Sequence, residues 1–241
     1  MSENQEVKPK VGIVIVTYNI PAEVFLLQIE AIRKFCKDDF EIVIIENSDN
    51  KQMSEDLKYH ASVLGLQVIK TLASSGNGTE SHAFAANTSY QILRDKYDHF
   101  FYIDHDCIPV KDFSVVEILT DKVMAGLGQG TWTKYFWAGC VMWDNRSIDR
   151  SLINFSPNTR LKIDTGGELR KVIDTYGEDK CVFFNELYKQ NPNFTQGMYN
   201  YYAMLNNEMF MHFVNSSNWN PVENNKDRLN SLINIAREWI T

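Results

Sequence analysis

Val11-Gly12-Ile13-Val14-Ile15-Val16 is an almost unbroken run of β-branched residues. A strand with one wet face alternates apolar and polar residues. A run that is apolar at every position must be covered on both faces, as in a parallel sheet between layers of helix. Similar runs return at Phe40-Glu41-Ile42-Val43-Ile44-Ile45, from Leu66 to Lys70, and at His99-Phe100-Phe101-Tyr102-Ile103. Between them the apolar spacing becomes helical. Phe25, Leu26, Ile29, Ile32 and Phe35 recur near the helical period over 22–36, with Pro21 suited to the first turn. Helices are also expected over about 53–64 and roughly 80–95. Strand and helix in alternation predict a doubly wound, mainly parallel α/β sheet.

The second half is less regular. Short strands are expected over 108–145, among Gly126, Gly128 and Gly130 and the aromatic residues Trp132, Tyr135, Phe136, Trp137 and Trp143. Helices are expected near 168–175, 178–190 and 226–240. The last carries Leu229, Leu232, Ile233, Ala236, Trp239 and Ile240 on one face, a stripe that would pack on the domain or join two protomers as a homo-oligomer. The chain therefore divides into a flexible tail (1–10), one catalytic domain (11–225, with halves 11–112 and 113–225) and a C-terminal amphipathic helix (226–241).

A net charge of -7 leaves no general basic field for nucleic acid or anionic lipid. The cysteines at 36, 107, 140 and 181 form no CxxC pair, which favours a reducing compartment. The tail MSENQEVKPK lacks an apolar signal core, and no apolar run is long enough to be an integral membrane segment. The chain reads as cytoplasmic.

In open α/β sheets ligands bind beyond the carboxyl ends of the strands. Three polar clusters fall there: Thr17-Tyr18-Asn19, Glu46-Asn47-Ser48-Asp49 and Asp104-His105-Asp106. Two carboxylates one residue apart on a turn can both approach one hard cation. Mg2+ or Mn2+ held in this way could neutralise a departing nucleoside diphosphate. A solvated loop or helix cap would have the same composition.

Val14 to Asn19, Ile45-Glu46-Asn47-Ser48, Ala86-Asn87 and Ile103-Asp104-His105-Asp106 follow in an order and spacing that resemble the nucleotide-sugar domain of GT-A glycosyltransferases. The resemblance is greatest to the inverting glycosyltransferase family 2 and covers about residues 11–112. It implies a metal-dependent transfer of a hexose or pentose from a nucleotide-diphosphate sugar to a hydroxyl acceptor. The acceptor would be a glycan, a lipid-linked saccharide, a protein or a modified nucleobase. The resemblance places Thr17, Tyr18, Asn19, Glu46, Asn47 and Asp104 against the donor, with Tyr18 on the base, Asn47 at its edge and Asp104 on the ribose. Glu46 and Asn47 stand where the family has two aspartates. An amide offers both a donor and an acceptor, so a UDP-sugar is favoured. Asp106 would bind the cation.

By the same resemblance His212 is a further metal ligand, followed by a polar loop Asn215-Ser216-Ser217 over the diphosphate; a core histidine between Met211 and Phe213 is the other reading. Inversion requires a base. Phe136 to Trp143 resembles the acceptor-side strand, and Asp164 to Arg170 the helix start that bears the base. Asp164 is the candidate, with Glu168 and Glu178-Asp179 as rivals; it also reads as an N-cap. One or two of the aromatic residues would stack on the acceptor. Two other functions compete: a nucleotidyltransferase, and a nucleotide-sugar-binding module or inactive relative. The first normally needs a glycine-rich basic loop after its first strand, and Thr17-Tyr18-Asn19-Ile20-Pro21 contains neither glycine nor a basic residue.

Overall fold

A computed structural model describes residues 10–71, 78–130, 133–193, 200–214 and 225–241. Most of the expected tail, Ser74 to Asn77, Trp132 and the loop Asn215-Ser216-Ser217 lie outside these. The first half alternates as expected: β1 (Lys10–Thr17), α1 (Ala22–Phe35), β2 (Asp39–Glu46), α2 (Lys51–Val63), β3 (Gln67–Lys70), α3 (Gly78–Leu93) and β4 (His99–Asp104). Lys10, assigned to the tail, is the first residue of β1. Then come β5 (Cys107–Pro109), α4 (Val115–Ile118), β6 (Met124–Gln129), β7 (Tyr135–Asp144), α5 (Arg170–Tyr176), β8 (Cys181–Phe184), β9 (Glu186–Gln190), β10 (Tyr201–Leu205), β11 (Phe210–His212) and α6 (Asn225–Ile240). The helix expected over 178–190 is instead two strands, β8 and β9, after a short 3-10 turn.

Seven strands form the main sheet in the order β3-β2-β1-β4-β7-β6-β8. The first four are mutually parallel, and β7 runs antiparallel to both neighbours. The strand that opens the chain is thus central. Along β1 the side chains alternate between two cores: Val11, Ile13 and Ile15 face one and Val14 and Val16 the other. This is why the run has no polar position. Each such side chain contributes about 1.5–3 kcal/mol when fully buried.

A second, antiparallel sheet, β5-β11-β10-β9, packs beside the first. Trp143 lies in the core, stacked on Phe100 with ring centres 5.1 Å apart. The stripe of α6 packs on its own domain: Leu232 and Ala236 are fully buried, and Lys34 of α1 donates to the Ile240 carbonyl. Among the described residues no helix is long and apolar enough to cross a membrane.

Register decides where the site falls. Thr17 lies opposite Glu46 and Val16 opposite Asp104, so the three strand tips end nearly level. A cleft of about 550 Å³ opens beyond them.

Candidate active site

The β1 tip turns sharply. Asn19 adopts φ 45°, its N–H donates to Ser48 Oγ at 2.9 Å, and its side-chain amide donates to Asp49 at 2.7 Å. The Tyr18 hydroxyl donates to the other Asp49 oxygen at 2.8 Å. Thr17 and Tyr18 line the cleft; Asn19 braces the turn behind it. Asn47 also lines it, and its amide is fixed by Ser81 Oγ at 2.9 Å and Thr71 Oγ1 at 3.0 Å.

Glu46 departs from expectation. It is fully buried and absent from the cleft wall. Its carboxylate accepts from Ser48 N and Ser54 Oγ, each at 2.7 Å, and pairs with Lys70 at 2.5 Å. A donor contact would require breaking these bonds, because an unpaired buried carboxylate is strongly disfavoured. Glu46 joins the β2 tip to α2 and β3.

Asp104, Asp106 and His212 converge on the cleft. The 104–107 turn is held from below by Gln28 of α1, whose amide donates to the carbonyls of Asp104 at 2.7 Å and Cys107 at 2.8 Å. His105 turns back to the Val16 carbonyl, with its Nδ1 at 3.2 Å. Immediately after the turn, β5 pairs with β11 and sets Cys107 opposite His212. This pairing brings a residue from near the chain's end beside Asp106, with His212 Nε2 3.9 Å from Asp106 Oδ2. Among the described residues, Asp106 Oδ1 and His212 Nδ1 are buried without a hydrogen-bond partner. Such orphaned atoms are costly unless a ligand satisfies them. Donor atoms of Asp106, Cys107 and His212 all lie within 4.8 Å of one another, a set that fits a divalent cation.

His82 is the main residue the sequence reading passed over. Its Nε2 lies 2.8 Å from Asp104 Oδ1. Burial pulls the imidazole pKa down, but the charge and hydrogen bond of Asp104, with Asp164 and Asp106 nearby, outweigh it and hold the pKa above its ordinary value. Asp104 is also pushed up by burial, yet His82 brings it below the usual carboxylate value. The signal was helical spacing: Ala85, Ala86 and Ser89 are buried on the same stripe of α3. Gln28, Gln129, Glu186 and Tyr188 were missed as well; the last three line the cleft.

Gly139 on β7 lies under the site. A Cβ there would stand 2.3 Å from the Trp137 ring and 2.6 Å from Asp104 Oδ2. Only glycine lets these two side chains cross the strand. Trp137 lines the cleft and packs on His212 at 4.8 Å between ring centres, whereas Tyr135 lines an adjoining cavity.

Asp164 reaches the opposite wall. Its Oδ1 accepts from Thr79 Oγ1 and Thr165 N, both at 2.7 Å. The capping alternative does not hold for the helix that follows: α5 begins at Arg170 after Leu169, with no side-chain cap. Nor do the rivals reach the cleft. Glu168 binds Asn158 and Lys171, and Glu178 pairs with Lys134.

No protein-family model and no curated protein sequence matches the chain. Solved structures do. A mannosyltransferase from Pyrobaculum calidifontis in complex with GDP-Man and Mn2+ superposes with a TM-score of 0.51 at 13% identity, over 74% of this chain and 55% of that one. GalNAc-T7 with UDP, GalNAc and Mn2+ gives 0.51 at 13% identity, over 74% of this chain and 43% of that one. The chain thus spans about half the length of these two proteins. With its level strand tips, reversed β7 and second small sheet, the chain has the fold of the GT-A glycosyltransferases.

Proposed function

We propose that this chain is a glycosyltransferase that moves a sugar from a nucleoside-diphosphate sugar, favouring UDP, to a hydroxyl acceptor with inversion. One observation carries the reading. Asp104, Asp106, Asp164 and His212 face a single cleft at the carboxyl ends of β1 and β4, and two of their buried polar atoms lack partners among the described residues. Asp106 and His212 would hold a divalent cation, Mn2+ or Mg2+. When bound, that ion would offset charge building on the departing diphosphate.

The chain's own groups do the rest. Tyr18 and Asn47 form the wall against the base, and Asp104, oriented by His82, meets the ribose. Asp164 has one oxygen engaged by Thr79 and Thr165, which leaves Oδ2 to act as base. It takes the proton of the acceptor hydroxyl while that oxygen bonds the anomeric carbon. The bond from that carbon to the diphosphate oxygen breaks, and its electron pair leaves with the diphosphate. Trp137 and Tyr188 offer aromatic faces to the acceptor, which is a glycan, a lipid-linked saccharide, a protein or a modified nucleobase.

The test uses UDP- and GDP-sugars with Mn2+, following binding by calorimetry and slow donor hydrolysis by release of free sugar. Wild-type protein should bind and hydrolyse a donor. Asp106→Ala should do neither, and Asp164→Asn should bind yet release little free sugar. Absence of both binding and hydrolysis across the panel would refute the proposal.

A further inference from the structure

Three donors of different chemistry lie together at the foot of the cleft: the Asp106 carboxylate and the His212 imidazole, which line it, and the Cys107 thiol, fully buried behind them. Cys107 and His212 are directly opposed on β5 and β11. Opposed residues of an antiparallel pair project to the same face, with Cβ atoms about 4.5–5.5 Å apart. The Cys107 carbonyl is fixed by Gln28, so its backbone cannot drift. The Asp106 side chain is almost fully buried, and its Oδ1 and His212 Nδ1 lack partners among the described residues. A tetrahedral ion with ordinary ligand bonds separates its donors by roughly 3.3–3.6 Å. The present spread of up to 4.8 Å closes with side-chain shifts of about an ångström.

We propose that Cys107 is a sulfur ligand of the cation, making this an Asp-Cys-His centre that prefers a borderline ion such as Zn2+ or Co2+ to Mg2+. Three protein ligands leave an open position facing the cleft, the arrangement of catalytic rather than structural sites. Thiolate selects the softer ions, whereas Mg2+ demands oxygen ligands and keeps its waters. Binding replaces the S–H bond with an S–metal bond and releases one proton to solvent per ion. The inference rests on the cation reading given above and adds to it the identity of one ligand.

The test is optical and needs no turnover. Metal-free protein is titrated with Co2+, with and without UDP or GDP, and its absorption followed. A sulfur-to-cobalt charge-transfer band in the near ultraviolet, saturating at one ion per chain, is expected. Cys107→Ser should abolish the band and weaken Co2+ and Cd2+ binding by roughly 10–100-fold or more. Cys140→Ala, which removes another buried thiol, should keep the band; circular dichroism confirms that each variant is folded. Stoichiometric Co2+ binding without a sulfur band in wild-type protein would overturn the thiolate ligand while leaving the cation reading intact. A band that survives Cys107→Ser would also overturn it. Failure of Co2+, Cd2+ and Mn2+ alike to bind, even with nucleotide, would overturn both.

Discussion

Replacing Gly139 with alanine should damage the site far more than the fold. The new methyl carbon would stand 2.3 and 2.4 Å from two Trp137 ring carbons and 2.6 Å from Asp104 Oδ2. Non-bonded carbons rest about 3.5–4.0 Å apart, so the ring must retreat by more than about 1 Å. Trp137 has room, because it borders the cleft. In moving it carries strain to His212, which it packs against, and Asp104 must swing away from His82. Overpacking of this kind costs about 1–3 kcal/mol. For a chain of this size that lowers the melting temperature by roughly 2–12 °C. A misplacement of about 1 Å in a catalytic constellation costs on the order of 100-fold in rate. Calorimetry with UDP and GDP in Mn2+, donor hydrolysis and thermal unfolding measure the three quantities. Ile29→Val, buried on α1 and worth about 0.5–1.5 kcal/mol, controls for stability loss alone. A Gly139→Ala protein that is destabilised yet binds nucleotide and hydrolyses donor like wild type would refute the link between this glycine and the site.

Glu46→Ala should cost about 3 kcal/mol in denaturant unfolding, the low end for breaking a buried pair because the Lys70 side chain is 39% exposed. Burial raises the Glu46 pKa, but Lys70, Ser54 and Ser48 outweigh it and hold it below its ordinary value of 4.5. Its contribution is therefore present above that pH and lost as pH falls through the folded-state value, so the variant should show a flatter acid limb. His82 has the opposite sign. Its pKa is raised above 6.5, so its contribution is complete below that pH and lost as pH rises through the folded-state value; His82→Ala should destabilise more at about pH 6 than at about pH 9 in thermal melts. Trp143→Ala should cost about 3–5 kcal/mol, since the ring is fully buried between Phe100, Tyr90 and Phe155; a surface-like loss would contradict its place in the core.

The first half was legible because its signals are local. Unbroken β-branched runs and helical spacing each arise within one element, and strand ends then name the cleft. The same logic misled at Glu46. Its place at a strand tip was visible, but its inward turn depends on Lys70 and Ser54, which other elements supply. The second half was harder to read because β7 runs against its neighbours and β8 pairs with β6 across an intervening helix. No local pattern encodes such pairings. His212 was placed by resemblance; its approach to Asp106 depends on the three-residue pairing of β5 with β11. His82 was overlooked although its stripe was readable, because a histidine among small residues has no motif of its own.

The β5–β11 pairing also bears on how the protein comes into being. Asp106 leaves the ribosome on the turn that follows β4, the strand that pairs with β1, and its neighbour His212 follows 106 residues later. Domains fold as units during synthesis. A nascent chain stalled before β11 holds all four parallel strands of the first half and still lacks one wall of the proposed cation pocket. Loss of the β5–β11 pairing should abolish the proposed ion binding while the central sheet persists.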